Sequence, residues 1–174
     1  MRAKAKNEMK LVIPSNSANE SFARTAVAAF MAQLDPTIEE MTDIKTAVSE
    51  AVTNCIVHAY RDTIGNIWIE AKIYDDGRMC VSVRDKGCGI PDVAKAREPL
   101  FTTGDSERAG LGFAVMESFT DKLRVRSAVG KGTTVTMEKR IAQRYRQDGW
   151  AGQARHGKHG TRSRLCTPVY GTRY

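Results

Sequence analysis

Asn66-Ile67-Trp68-Ile69-Glu70-Ala71-Lys72-Ile73, followed by Tyr74-Asp75-Asp76-Gly77 and then Arg78-Met79-Cys80-Val81-Ser82-Val83-Arg84, is the stretch on which the fold turns. Ile67, Ile69, Ala71 and Ile73 alternate with Trp68, Glu70 and Lys72, the period of a strand with one buried face. Asp75-Asp76-Gly77 is turn chemistry, and it closes a hairpin onto the second alternating run, Met79, Val81 and Val83. Before Asn66 the period is helical. Thr37 and Glu40 have capping-box spacing at the head of a helix expected to run to about residue 59, with Met41, Ile44, Val48, Val52, Cys55 and Ile56 as its apolar stripe. Ser17 and Glu20 repeat that spacing ahead of Phe22, Val27, Ala28 and Phe30, which predicts a helix to about residue 34, broken by Asp35-Pro36. Met9, Leu11 and Ile13 alternate as a first strand over residues 8–14. Downstream come a short apolar helix, 111–119, and a last hairpin pairing 122–127 with 133–139 across Val129-Gly130-Lys131-Gly132. The predicted class is α+β, with a mixed, mostly antiparallel sheet and helices over one face.

The whole chain bounds the function. Its 174 residues suit one domain. No run of some 18 apolar residues is present, and the basic start is followed by polar residues, so the expectation is a cytoplasmic protein with no membrane partner. Cys55, Cys80, Cys88 and Cys166 lack CxxC spacing and are expected to be reduced, inert thiols. The net charge of +7 invites a nucleic-acid reading, but in residues 142–174 seven basic residues stand against Asp148, so that segment holds +6 of it. A folded domain over 1–141 is thus nearly neutral, and 142–174 reads as a basic, disordered tail. It carries little aromatic interleaving beyond Tyr145 and Trp150, so no direct nucleic-acid partner is expected.

Three constellations carry chemistry. Glu50, Asn54 and His58 stand at i, i+4 and i+8 and share one polar helix face. Asn54 can offer a neutral oxygen to magnesium and Glu50 can accept a proton, although a solvated helix face has the same pattern. Arg84-Asp85-Lys86-Gly87-Cys88-Gly89 ends a strand. Asp85 can accept from an exocyclic amine, and Gly87 and Gly89 would let backbone approach a flat ring; a plain Asp–Gly turn is the alternative. Gly110 and Gly112 open the last helix, where backbone amides favour phosphate or simply a cap.

The order of these pieces is more specific than any one of them. Glu50…Asn54, Asp85-x-Gly87-x-Gly89, Phe101-Thr102-Thr103, Gly110-x-Gly112 and Gly132-Thr133 together resemble the N, G1, F and G2 boxes of the ATPase superfamily of DNA gyrase, histidine kinases and the MutL repair protein. The resemblance covers residues 8–140 and implies a two-layer α/β sandwich, the histidine-kinase-like ATPase fold, with ATP held under a lid at about 98–109. It implies that Asp85 binds the adenine amine with support from Thr133, that Asn54 holds Mg2+, and that Gly87, Gly89, Thr103, Gly110 and Gly112 shape the nucleotide pocket.

Within the superfamily, residues 19–24, 49–54 and 99–103 are similar to the sporulation anti-sigma F factor family. That likeness implies a homodimeric serine kinase that holds a sporulation sigma factor and phosphorylates its antagonist, the anti-anti-sigma protein. Glu50 is then the general base, Arg108 in the lid meets the γ-phosphate, and Arg24 grips the protein partners. A kinase serving a stress sigma factor, or a nucleotide-sensing module without phosphotransfer, stays open as an alternative. Lys86 puts a cation inside the G1 box, and nothing in the family matches the tail.

Overall fold

The computed structural model describes residues 4–98 and 111–142. In chain order these form β1 (Asn7–Pro14), α1 (Ala18–Met31), α2 (Ile38–Asn54), β2 (Asn66–Ile73), β3 (Arg78–Arg84), α3 (Val93–Ala96), α4 (Gly112–Phe119), β4 (Lys122–Ala128) and β5 (Gly132–Arg140). The strands make one five-stranded sheet in the order β1-β2-β3-β5-β4, with every pairing antiparallel. The sheet expected to be mixed is therefore antiparallel throughout. Both hairpins form as their turns dictate: Ile73 faces Met79 across the first and Ala128 faces Gly132 across the second.

The period-2 pattern becomes burial. Ile67, Ile69, Ala71 and Ile73 on β2, Met79, Val81 and Val83 on β3, and Val135 and Met137 on β5 are buried on the helix side of the sheet. They meet Ala23, Val27 and Met31 of α1, five buried side chains of α2, and Met116 of α4. Each fully buried aliphatic side chain contributes about 1.5–3 kcal/mol. Trp68, Glu70 and Lys72 point to the other face, where Lys72 lies 3.2 Å from Glu70 and 3.8 Å from Glu8. Polar side chains also take the helix side, among them Lys139 of β5, which donates to Asp43 of α2 at 2.8 Å and to the Phe119 carbonyl at the end of α4 at 2.9 Å.

The two expected capping boxes fare differently. At α2 the box is complete: the Glu40 amide donates to Thr37 Oγ1 at 2.9 Å and the Thr37 amide to Glu40 Oε2 at 2.7 Å. Such a cap is worth about 1 kcal/mol. The other Glu40 oxygen accepts from the Ala142 amide at 3.2 Å. Partial burial acts to raise the Glu40 pKa, but these amide donors prevail and hold it below the ordinary value. At α1 the box does not form. Ser17 is in helical conformation, and its carbonyl rather than its side chain accepts from the Glu20 amide, at 3.2 Å, while the Glu20 carboxylate accepts from Ser49 Oγ on α2 and pairs with Arg24.

Both helix ends also depart from expectation. A 3-10 turn, Ala32–Leu34, finishes the first helical stretch before Asp35 turns left-handed at φ 52°. The second stretch reaches residue 59, but Cys55–Ala59 are wound as a π turn in which the Tyr60 amide donates to the Cys55 carbonyl at 3.2 Å. The expected tail lies outside the described residues apart from Ala142, and Ile141, just before it, is 1% exposed.

Candidate functional site

A cleft of about 630 Å³ opens between the end of α2 with its π turn, the loop after β3, the head of α4 and β5. Asp85 lies at its floor and is 3% exposed, so its polar atoms need partners within the protein. Oδ1 has two: the amides of Gly87 at 2.8 Å and Thr133 at 3.1 Å. Among the described residues Oδ2 meets only the Cys55 thiol, at 3.8 Å. Burial, and then the Asp85 charge, push the Cys55 pKa far up, so the thiol keeps its proton. A buried carboxylate with one oxygen saturated and the other held by a weak sulfur donor is an acceptor for a stronger donor in the cleft.

β5 runs beside this carboxylate because the Asp85 amide continues the sheet ladder onto the Thr133 carbonyl at 2.9 Å. Thr133 Oγ1 lies 2.9 Å from Ser127 Oγ, which accepts from the Ile90 amide at 2.7 Å. Thr133 thus stands next to Asp85 and is tied through Ser127 to the loop that carries Gly89.

Gly89 lines the cleft, and Gly87 and Gly89 both also press against the protein's own backbone. A Cβ on Gly87 would lie 2.2 Å from the Ala59 carbonyl oxygen, and Gly89, at φ 73°, would put one 2.2 Å from that of Ala128. The close approach they permit is to the protein's own backbone, which seats the loop between the π turn and the β4–β5 turn. Lys86 is directed away from the cleft: its Nζ sits over the Trp68 ring at 5.1 Å, on the open side of the sheet.

On α2 the expected polar face is brought together in part. Asn54 and His58 line the cleft. Glu50 and Asn54 converge on the head of α4, where a Cβ on Gly112 would lie 3.0 Å from Glu50 Oε2 and 3.5 Å from Asn54 Nδ2. His58 stands on the π turn that follows α2. Burial first, and then Arg61, lower the His58 pKa, so the imidazole is neutral at pH 7. Burial first, and the Glu20 charge second, raise the Glu50 pKa above the ordinary carboxylate value, which makes it a better proton acceptor once ionised.

Arg24 is not at the cleft. It lies on α1, 3.7 Å from Glu20 and 3.5 Å from Ser21 Oγ. Thr103, Arg108 and Gly110 lie outside the described residues. Sequence reasoning missed Cys55 and Ser127, which touch the site only through pairings with distant parts of the chain and carry no local signal.

Fold and cleft define a class. The histidine kinase-like ATPase domain family matches residues 13–139, and with it comes a fold built for nucleotide binding. The chain is 61% identical over 138 residues to the anti-sigma F factor of Caldanaerobacter subterraneus subsp. tengcongensis, spanning 79% of this chain and 96% of that protein. To the anti-sigma F factor of Geobacillus kaustophilus it is 54% identical over 139 residues, 79% of this chain and 95% of the relative. The crystal structure of the RsbU and RsbW domains of a Mycobacterium tuberculosis protein shares the fold at a TM-score of 0.59 and 22% identity, over 78% of this chain and 32% of that one. The chain belongs to the anti-sigma F factor family of histidine kinase-like ATPase domains. No helix among the described residues is long and apolar enough to cross a membrane.

Proposed function

We propose that this chain is a cytoplasmic, homodimeric anti-sigma factor and ATP-dependent serine kinase. It sequesters a sporulation sigma factor and phosphorylates a serine of the anti-anti-sigma antagonist, without touching nucleic acid itself. The observation that carries the nucleotide reading is Asp85, whose Oδ2 lies on the floor of the cleft without a strong donor while Oδ1 is saturated. That oxygen suits the exocyclic amine of adenine, and Thr133 beside it supports the same edge of the base.

The residues present fit magnesium and ATP. The Asn54 carboxamide lines the cleft, and its oxygen is a hard neutral ligand of the kind Mg2+ takes alongside phosphate oxygens. Bound ATP and Mg2+ supply the phosphoryl group and neutralise the charge around it. Glu50, one helical turn from Asn54, removes the proton from the incoming serine hydroxyl, and its raised pKa suits a base that works near neutrality. Gly112 at the head of α4 leaves room between Glu50, Asn54 and the phosphates. Arg108 and Thr103 complete the phosphate end in this reading, and Arg24, half-buried on α1, contacts the protein partners.

The test is direct. The purified chain is incubated with γ-labelled ATP, Mg2+ and the candidate anti-anti-sigma protein, and label is expected on a serine of the second protein. Tight nucleotide binding with no transfer would reject the kinase and leave a nucleotide-sensing module.

A further inference from the structure

The loop that presents Asp85 is held by three consecutive residues, His58 and Ala59 in the wall of the cleft and Tyr60 next to them. The Ala59 carbonyl accepts from the Cys88 amide at 3.1 Å, and the His58 carbonyl accepts from Cys88 Sγ at 3.1 Å. The third hold is a side chain. Tyr60 Oη accepts from the Lys86 amide at 2.8 Å and donates to the carbonyl of Asn66, the first residue of β2, at 2.7 Å. The ring has little freedom, because Gly65 lies so close that a Cβ there would fall 2.1 Å from a ring carbon. Burial raises the phenol pKa first of all, so the hydroxyl keeps the proton that it donates to Asn66 while it accepts from Lys86.

The Lys86 amide belongs to the peptide that joins Asp85 to Lys86. Asp85 Oδ1 reaches over that peptide to the Gly87 amide at 2.8 Å, an Asx turn whose shape depends on how the intervening peptide is oriented. Gly87 and Thr133 fix one oxygen of the carboxylate, whereas among the described residues Oδ2 has the 3.8 Å thiol alone, so its direction follows the plane that the turn sets. We propose that Tyr60 is a positioning residue for base recognition: by holding the Lys86 amide it fixes the Asp85–Lys86 peptide, and so aims Asp85 Oδ2 at the exocyclic amine of an adenine nucleotide. This rests on the nucleotide reading above.

Isothermal titration of wild type and Tyr60→Phe with Mg–ATP and with Mg–ITP tests it, since hypoxanthine lacks the exocyclic amine. Phenylalanine keeps the ring on Gly65 and removes both hydrogen bonds of the hydroxyl. Wild type is expected to prefer ATP over ITP by about tenfold or more, the worth of a hydrogen bond to a charged group. Tyr60→Phe is expected to lower that preference by about threefold or more while ITP affinity stays within about twofold of wild type. Equal weakening of both nucleotides marks a merely structural role and overturns the proposal, as does an unchanged preference. A wild type that does not distinguish ATP from ITP overturns the amine contact itself, and the role of Tyr60 with it. Hydrogen exchange on the wild-type protein gives a check that needs no variant: the Lys86 amide is expected to be protected, and free exchange there refutes the anchor.

Discussion

Asp85→Asn changes one oxygen for an amino group, and the site dictates which way the new amide must sit. The Oδ1 position faces two amides, those of Gly87 and Thr133, so the asparagine oxygen has to take it. The amino group then occupies the place of Oδ2, facing Cys55 and the cleft. An adenine amine arriving there meets a donor where it needs an acceptor. The loss has two parts: a hydrogen bond to a charged group, about 1.5–3 kcal/mol, and donors left unpaired in a site excluded from water, about 1–3 kcal/mol. Together they weaken ATP by at least about 100-fold. The fold suffers less, because both backbone bonds persist as neutral ones, at a cost of about 1 kcal/mol. Calorimetric titration with Mg–ATP, on variant protein whose circular dichroism and melting are cooperative, measures the effect. An affinity within twofold of wild type in such a folded variant would remove the adenine contact from Asp85.

Other expectations follow from the same geometry. Glu50→Gln keeps size and polarity but cannot take a proton, so transfer to the antagonist should slow by about 10²-fold or more with nucleotide affinity near wild type; a wild-type rate would sink the base assignment. The same change bears on stability. The folded pKa of Glu50 is raised, so the folded state binds more protons than the unfolded chain between the ordinary value of 4.5 and the raised one, and stability falls as pH climbs through that window. Glu50→Gln should therefore melt higher than wild type at pH 7 and lose that advantage near pH 4, as melting curves at the two pH values will report. Lys139→Met strips the donor from Asp43 and from the Phe119 carbonyl and should cost about 2 kcal/mol in urea unfolding, less than a fully buried pair because water reaches both groups. Truncation after Ala142 keeps the buried Ile141 and the Ala142–Glu40 bond, and should leave both melting temperature and phosphotransfer unchanged; a lower melting temperature would give the tail a place in the fold.

What was legible in the sequence was what a short window of chain decides. The β2–β3 hairpin follows from alternation and an Asp-Asp-Gly turn, and the Thr37 cap forms because both its partners lie within one helical turn. The Glu20 half of the Ser17 box failed for the opposite reason: the Glu20 carboxylate accepts from Ser49, 29 residues away, and tertiary contact outweighed local pattern. The π turn at Cys55–Ala59 was hidden because its apolar residues still suit an α-helical stripe, and the change lies in which carbonyl the Tyr60 amide reaches. At the site, residue types pointed to Asp85, Asn54 and Glu50. They could not reveal that Gly87 and Gly89 also make room for the protein's own backbone, since that depends on where Ala59 and Ala128 come to rest. Lys139 reads as an ordinary solvated strand lysine until α2 and α4 close over it.

The place of β5 between β3 and β4 has a consequence for how the protein is made. The Asp85 amide and carboxylate take their partners from Thr133, 48 residues later, so the recess around that carboxylate does not exist on a nascent chain until nearly all of residues 7–140 have been synthesised. Closing so long a loop is slow compared with forming a local hairpin. A nucleotide that needed Asp85 could therefore not template assembly from the ribosome outward; it would bind, and stabilise, only chains that have already completed their sheet.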